Sequence, residues 1–112
     1  MAYRFEWDHG KAAINRRRHG VNFDEASTVF DDPLAAILDD EPHSTYEEHE
    51  LIIGHSVSGR LLLVSFTERP GEILHLISAR AVTQKERRNY ELDFGQFRPS
   101  NRPFPGGKGP GL

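Results

Sequence analysis

Residues 60–67, Arg60-Leu61-Leu62-Leu63-Val64-Ser65-Phe66-Thr67, and residues 73–80, Ile73-Leu74-His75-Leu76-Ile77-Ser78-Ala79-Arg80, decide the fold. The pair Ser58-Gly59 leads into the first run and Pro70-Gly71 into the second, both turn-forming combinations. Each run is apolar on both faces. That pattern predicts two central strands of an antiparallel sheet covered on each side.

Outward from these runs, Leu34-Ala35-Ala36-Ile37-Leu38 reads as a further strand. A polar loop with Pro42 follows, then a mixed stretch from Glu48 to Ser56 around Leu51-Ile52-Ile53-Gly54. Upstream, Asp8 can cap a helix over residues 9–19, and Gly20 stands where a left-handed residue ends one. Asn22 is a second cap with Glu25 three residues later, and Phe23, Ala26, Val29 and Phe30 recur on one helical face until Pro33 stops the segment. Downstream, Thr83-Gln84-Lys85-Glu86 is a capping box opening a third helix through Arg87, Arg88, Tyr90 and Leu92. The expected fold is α+β: a small antiparallel β-sheet with two N-terminal helices and one C-terminal helix. It occupies residues 1–92. Residues 93–112 are dense in Pro and Gly and are expected to form a flexible tail, in which Phe94, Phe97 and Phe104 are available to dock on a partner.

At 112 residues, 37% hydrophobic and 28% charged, the chain is enough for one core and too short for two. It has no cysteine, which rules out disulfides, a thiolate nucleophile and cysteine-type zinc sites. Charges occupy the N-terminus where a secretory signal needs an apolar run, and no stretch reaches membrane-spanning length, so a soluble cytoplasmic protein is expected. The net charge of -3 and pI of about 6.0 argue at first against a nucleic-acid partner. Distribution changes that reading. Residues 31–50 hold eight acidic and no basic side chains, so fourteen Lys and Arg elsewhere face nine acids, a balance of +5.

Several separate motifs, in order, resemble the BrnT toxin family. In the N-terminal half they are Phe5-Glu6-Trp7-Asp8, Asn15 with Arg18-His19-Gly20-Val21, Phe23-Asp24-Glu25-Ala26 and Val29-Phe30-Asp31-Asp32-Pro33. In the C-terminal half they are His43-Ser44 with Glu47-Glu48, Ile53-Gly54 with Ser56, Gly59-Arg60, Thr67-Glu68-Arg69, Ile77-Ser78-Ala79-Arg80, and Lys85-Glu86-Arg87-Arg88 with Tyr90-Glu91. The chain departs from the family pattern at His9-Gly10, where a proline is usual, and at His49, where a basic residue is usual. The resemblance implies a RelE-like fold and a metal-independent endoribonuclease, the toxin of a type II toxin-antitoxin system that inhibits growth and translation. It also implies neutralisation by a BrnA-like ribbon-helix-helix antitoxin, operator DNA reached only through that antitoxin, and a toxin homodimer within a heterotetramer. The acidic segment 31–50 and the tail are two candidate docking surfaces for it.

A metal-independent ribonuclease needs the 2′-hydroxyl in line with the adjacent phosphorus, a proton acceptor, cations for the phosphorane charge and an acid for the leaving oxygen. Arginine suits the charge role because its planar fork pairs with two phosphate oxygens. Arg60 opens one central strand and Arg80 ends the next, so the Pro70-Gly71 hairpin is expected to bring the two together at one end of the sheet. Arg60 and Arg80 are therefore candidate catalytic residues for the phosphate charge, with His43, His55 or Glu68 as candidate proton carriers and Lys85, Arg87, Arg88 and Arg69 as RNA-binding residues; Glu68 falls at the opposite, turn end.

Structural roles compete with each assignment. Arg80 has Glu86 and Glu91 within reach as ion-pair partners, Arg60 follows a turn glycine, and Glu68-Arg69 suits a charged turn. A strand-interior histidine such as His75 is more often satisfied in the core than catalytic. His43, His49 and His55 are six residues apart, a spacing unlike that of common zinc ligands. The chain has neither a glycine-rich phosphate loop nor a nucleophile elbow, so no metal and no cofactor are expected. The competing function is a non-catalytic RNA- or protein-binding module of the same fold.

Overall fold

The structure is a computed structural model that describes residues 3–39 and 49–92. Asp8 caps α1 (His9–His19) by accepting the Lys11 N–H at 2.9 Å, and Gly20 ends it at φ 72°, a left-handed conformation that costs glycine little. Asn22 likewise caps α2 (Phe23–Ser27) through the Glu25 N–H at 2.7 Å. The chain then tightens into a 3-10 turn over Thr28–Asp31 before Pro33. Thr83 and Glu86 complete the predicted capping box at the start of α3 (Gln84–Tyr90).

Among the described residues, five strands form one sheet: β1 (Arg4–Glu6), β2 (Ala36–Asp39), β3 (Glu50–His55), β4 (Leu61–Arg69) and β5 (Ile73–Ala81), in spatial order β1-β5-β4-β3-β2. Strands β2 to β5 are an antiparallel meander, whereas β1 lies parallel to β5 with Phe5 opposite Leu74 and Glu6 opposite His75. The sheet is therefore mixed rather than purely antiparallel. The expectation missed β1 because three residues carry too little alternation to be recognised, and its partner β5 follows only after α1, α2 and the strands β2 to β4, a connection long enough for parallel pairing.

Side-chain alternation divides the sheet into two unlike faces. Ile52, Leu62, Val64, Phe66, Leu74, Leu76 and Ala79 pack under Val21, Phe23, Ala26 and Val29, forming the main core beneath α1 and α2. Phe30 joins it through rings 5.3 Å from Phe5 and 5.0 Å from Phe66. On the second face Ala36, Ile53, Leu61 and Leu63 pack with Tyr90 of α3. Among the described residues that cover is partial, and both-sided apolar cover extends over β4 more than β5. A bulge between Ser65 and Phe66 leaves Ile77 without an opposite residue, so Ser78 and Arg80 share the second face with Ser65 and Leu63.

Gly54 permits the turn after Pro33 to lie directly on β3. A Cβ there would fall 2.8 Å from the Ala35 Cβ and 3.2 Å from its Cα. The same turn is tied down by Asp32, whose carboxylate accepts the N–H groups of Leu34 at 3.0 Å and His55 at 2.7 Å.

Candidate active site

Arg60 and Arg80 reach the same end of the β4–β5 hairpin, as the sequence predicts, but they project to opposite faces and do not form one cluster. Two residues of a strand lie on one face only when an even number of positions separates them, and the paired register places Arg80 opposite Leu63, not opposite the Leu62 side to which Arg60 belongs.

On the helix side Arg60 is held by Glu25, with Nε donating at 3.0 Å and an NH2 contact at 2.6 Å, and it also donates to the Gly20 carbonyl at 3.1 Å. The hydroxyls of Ser56 and Ser58 donate to the same carboxylate at 2.7 and 2.6 Å. The Arg60 guanidinium, helped by the two hydroxyls, holds the Glu25 carboxyl down at about 2 against the opposing effect of burial. This knot ties the β3–β4 turn to α2 and to the end of α1. In the sequence Glu25 stands out only as a helix-start residue and as part of the Phe23-Asp24-Glu25-Ala26 motif, neither of which points to its role as a hub.

On the second face Arg80 makes a two-pronged pair with Glu86, at 2.9 and 2.8 Å. Glu86 also accepts the Thr83 N–H at 2.9 Å, so one carboxylate joins the end of β5 to the start of α3. The Arg80 guanidinium is the main reason the Glu86 carboxyl sits at about 2. Lys85, Arg87 and Arg88 are exposed on the same short helix, and Arg87 stands 4.0 Å from Glu91.

A third cluster lies further along this face. Glu6 Oε2 meets His75 Nδ1 at 2.8 Å and Arg69 NH1 at 3.0 Å. Arg69 is thus placed beside β1, away from α3, and the His75 ring meets the Glu6 carboxylate. Glu68 is exposed at the turn end, opposite Leu74, as expected. His55 lies at the other end, its Nδ1 3.6 Å from Asp32 and its ring 6.4 Å from that of Tyr90. His43 and the tail lie outside the described residues. Among the described residues, no three His, Cys, Asp or Glu side chains are grouped so as to hold a metal ion. No described helix is long and apolar enough to cross a membrane.

Fold and site together define a small α+β protein in which one sheet face carries guanidinium groups beside a cationic helix, chemistry suited to phosphodiesters. A family model described as the ribonuclease toxin BrnT of type II toxin-antitoxin systems matches residues 7–86, and the chain belongs to that family. Membership makes it a ribonuclease toxin by family and implies an antitoxin partner. The fold is similar to that of the Brucella abortus ribonuclease toxin BrnT, solved at 1.1 Å: the TM-score is 0.57 at 21% identity, covering 74% of this chain and 100% of that one. No curated protein sequence matches.

Proposed function

We propose that the chain is a metal-independent endoribonuclease of RelE-like architecture that works in the cytoplasm and stops growth and translation by cutting RNA. The observation that carries this reading, within the family's ribonuclease description, is the Arg80 fork on the second sheet face beside α3. A phosphate offers the same two-oxygen edge as the Glu86 carboxylate, so a phosphodiester can take the fork by exchange with Glu86. Lys85, Arg87 and Arg88 add positive charge around that position, and Arg69 extends it along the sheet. Arg60, on the helix side, serves to hold the β3–β4 turn. Of the expected proton carriers that lie among the described residues, Glu68 is remote from Arg80 and His55 shares the α3 side of the sheet.

In the cell the toxin is paired with a BrnA-like ribbon-helix-helix antitoxin, as a toxin homodimer within a heterotetramer, and meets operator DNA only through that partner. Expression without the antitoxin is expected to arrest growth, and the purified protein to cleave RNA in EDTA. Cleavage that disappears on chelation and returns with a divalent ion would overturn metal independence. The alternative of a non-catalytic binding module is favoured by one observation: Arg60, Arg69 and Arg80 are each already engaged by a carboxylate.

A further inference from the structure

We propose that His75 is the general base of RNA cleavage and that Glu6 is its positioning residue, an inference resting on the ribonuclease reading above. The parallel pairing of β1 with β5 sets Glu6 directly beside His75, and the antiparallel pairing of β4 sets Thr67 on its other side. The 2.8 Å contact between Glu6 Oε2 and His75 Nδ1 requires a proton on Nδ1. Neutral imidazole so held has its lone pair on Nε2, across the ring from the carboxylate, which is the form a general base needs. The cluster is accessible: the side chains of His75, Glu6 and Arg69 are 22%, 43% and 38% exposed. Arg69 shares Glu6 Oε2 at 3.0 Å, which brings a guanidinium next to the imidazole.

In the reaction His75 Nε2 takes the proton of the ribose 2′-hydroxyl. The 2′-oxygen forms a bond to the adjacent phosphorus, and the bond from phosphorus to the 5′-oxygen breaks. The proton passes from the imidazolium through solvent to that leaving oxygen, giving a 2′,3′-cyclic phosphate and a 5′-hydroxyl with no net consumption of water. Arg69 lies where the phosphorane charge develops. Arg80 is five positions along β5, on the order of 15 Å away, and therefore holds a neighbouring phosphate and not the scissile one.

The test is steady-state cleavage of a mixed-sequence single-stranded RNA oligonucleotide in EDTA by the full chain and its His75→Gln and His75→Ala variants. Melting is followed alongside, and the His75 tautomer is read by nitrogen-15 NMR. His75→Gln is expected to lower kcat by about 10²-fold or more with KM within about threefold of wild type, and added imidazole to restore part of the activity of His75→Ala. The wild-type ring is expected to carry its proton on Nδ1, a preference that Glu6→Gln weakens. An active His75→Gln enzyme, or a wild-type ring protonated on Nε2 instead, overturns the dyad while the ribonuclease reading stands. A wild-type protein that cuts neither free RNA nor message on ribosomes overturns both.

Discussion

The Asn15 carboxamide takes both backbone groups of Ala79: Nδ2 donates to the carbonyl at 2.8 Å and Oδ1 accepts the N–H at 3.1 Å. Strand β1 accompanies β5 only along Ile73, Leu74 and His75, so beyond it a helix side chain completes the ladder on the open edge. Nδ2 also donates to the Val21 carbonyl at 3.0 Å, fixing the turn after α1. Asn15→Ala leaves these buried groups without partners and is expected to cost about 2–4 kcal/mol. Urea unfolding checks this through a lower midpoint with an unchanged slope, and a midpoint equal to wild type would contradict it.

Gly54→Ala is expected to cost about 1–3 kcal/mol, because the added methyl meets backbone and not only a flexible side chain. The nearest atoms are the Ala35 Cβ at 2.8 Å, the Asp32 carboxylate at 3.1 Å and the Ala35 Cα at 3.2 Å. Thermal melting is the direct readout. A variant melting at the wild-type temperature would mean that the turn moves away at no cost.

Glu25 and Glu86 give the protein an acid-sensitive limb. Each carboxyl is lowered in the folded state from 4.5 to about 2, so its contribution is fully present above 4.5 and is lost as the pH falls towards 2. Glu25→Gln is expected to lower stability near pH 7 and to reduce the further loss between about pH 5 and pH 3. Urea titrations at those pH values decide it, and a glutamine variant with the wild-type acid loss would contradict the account.

Local signals made much of this fold legible. Asp8 and Gly20 marked α1, Asn22 marked α2, Thr83 and Glu86 marked α3, and the two turn pairs marked the β4–β5 hairpin, because caps and turns are decided by neighbours in sequence. What was not legible depends on distant parts of the chain. Three residues of β1 take their place only by pairing with β5, and the Ile77 bulge resets which residues share a face. The candidate site suffered most from this. Arg60 and Arg80 sit at one end of a hairpin, yet the parity that parts them is a property of register. His75 read as a core residue until β1 brought Glu6 beside it.

The central claim is that RNA is cut without metal at the sheet face carrying Arg80. Its most direct test is cleavage of purified total RNA in EDTA by the wild-type chain, Arg80→Ala and Arg60→Ala. Loss of the Arg80–Glu86 pair is expected to shift stability by no more than about 1 kcal/mol, since both partners are partly exposed. The account predicts wild-type cleavage, a fall in kcat/KM of about 10-fold or more for Arg80→Ala, and an Arg60→Ala enzyme that is less stable but still cleaves. An Arg80→Ala protein as active as wild type, or wild type that leaves both free RNA and message on ribosomes intact, would contradict it.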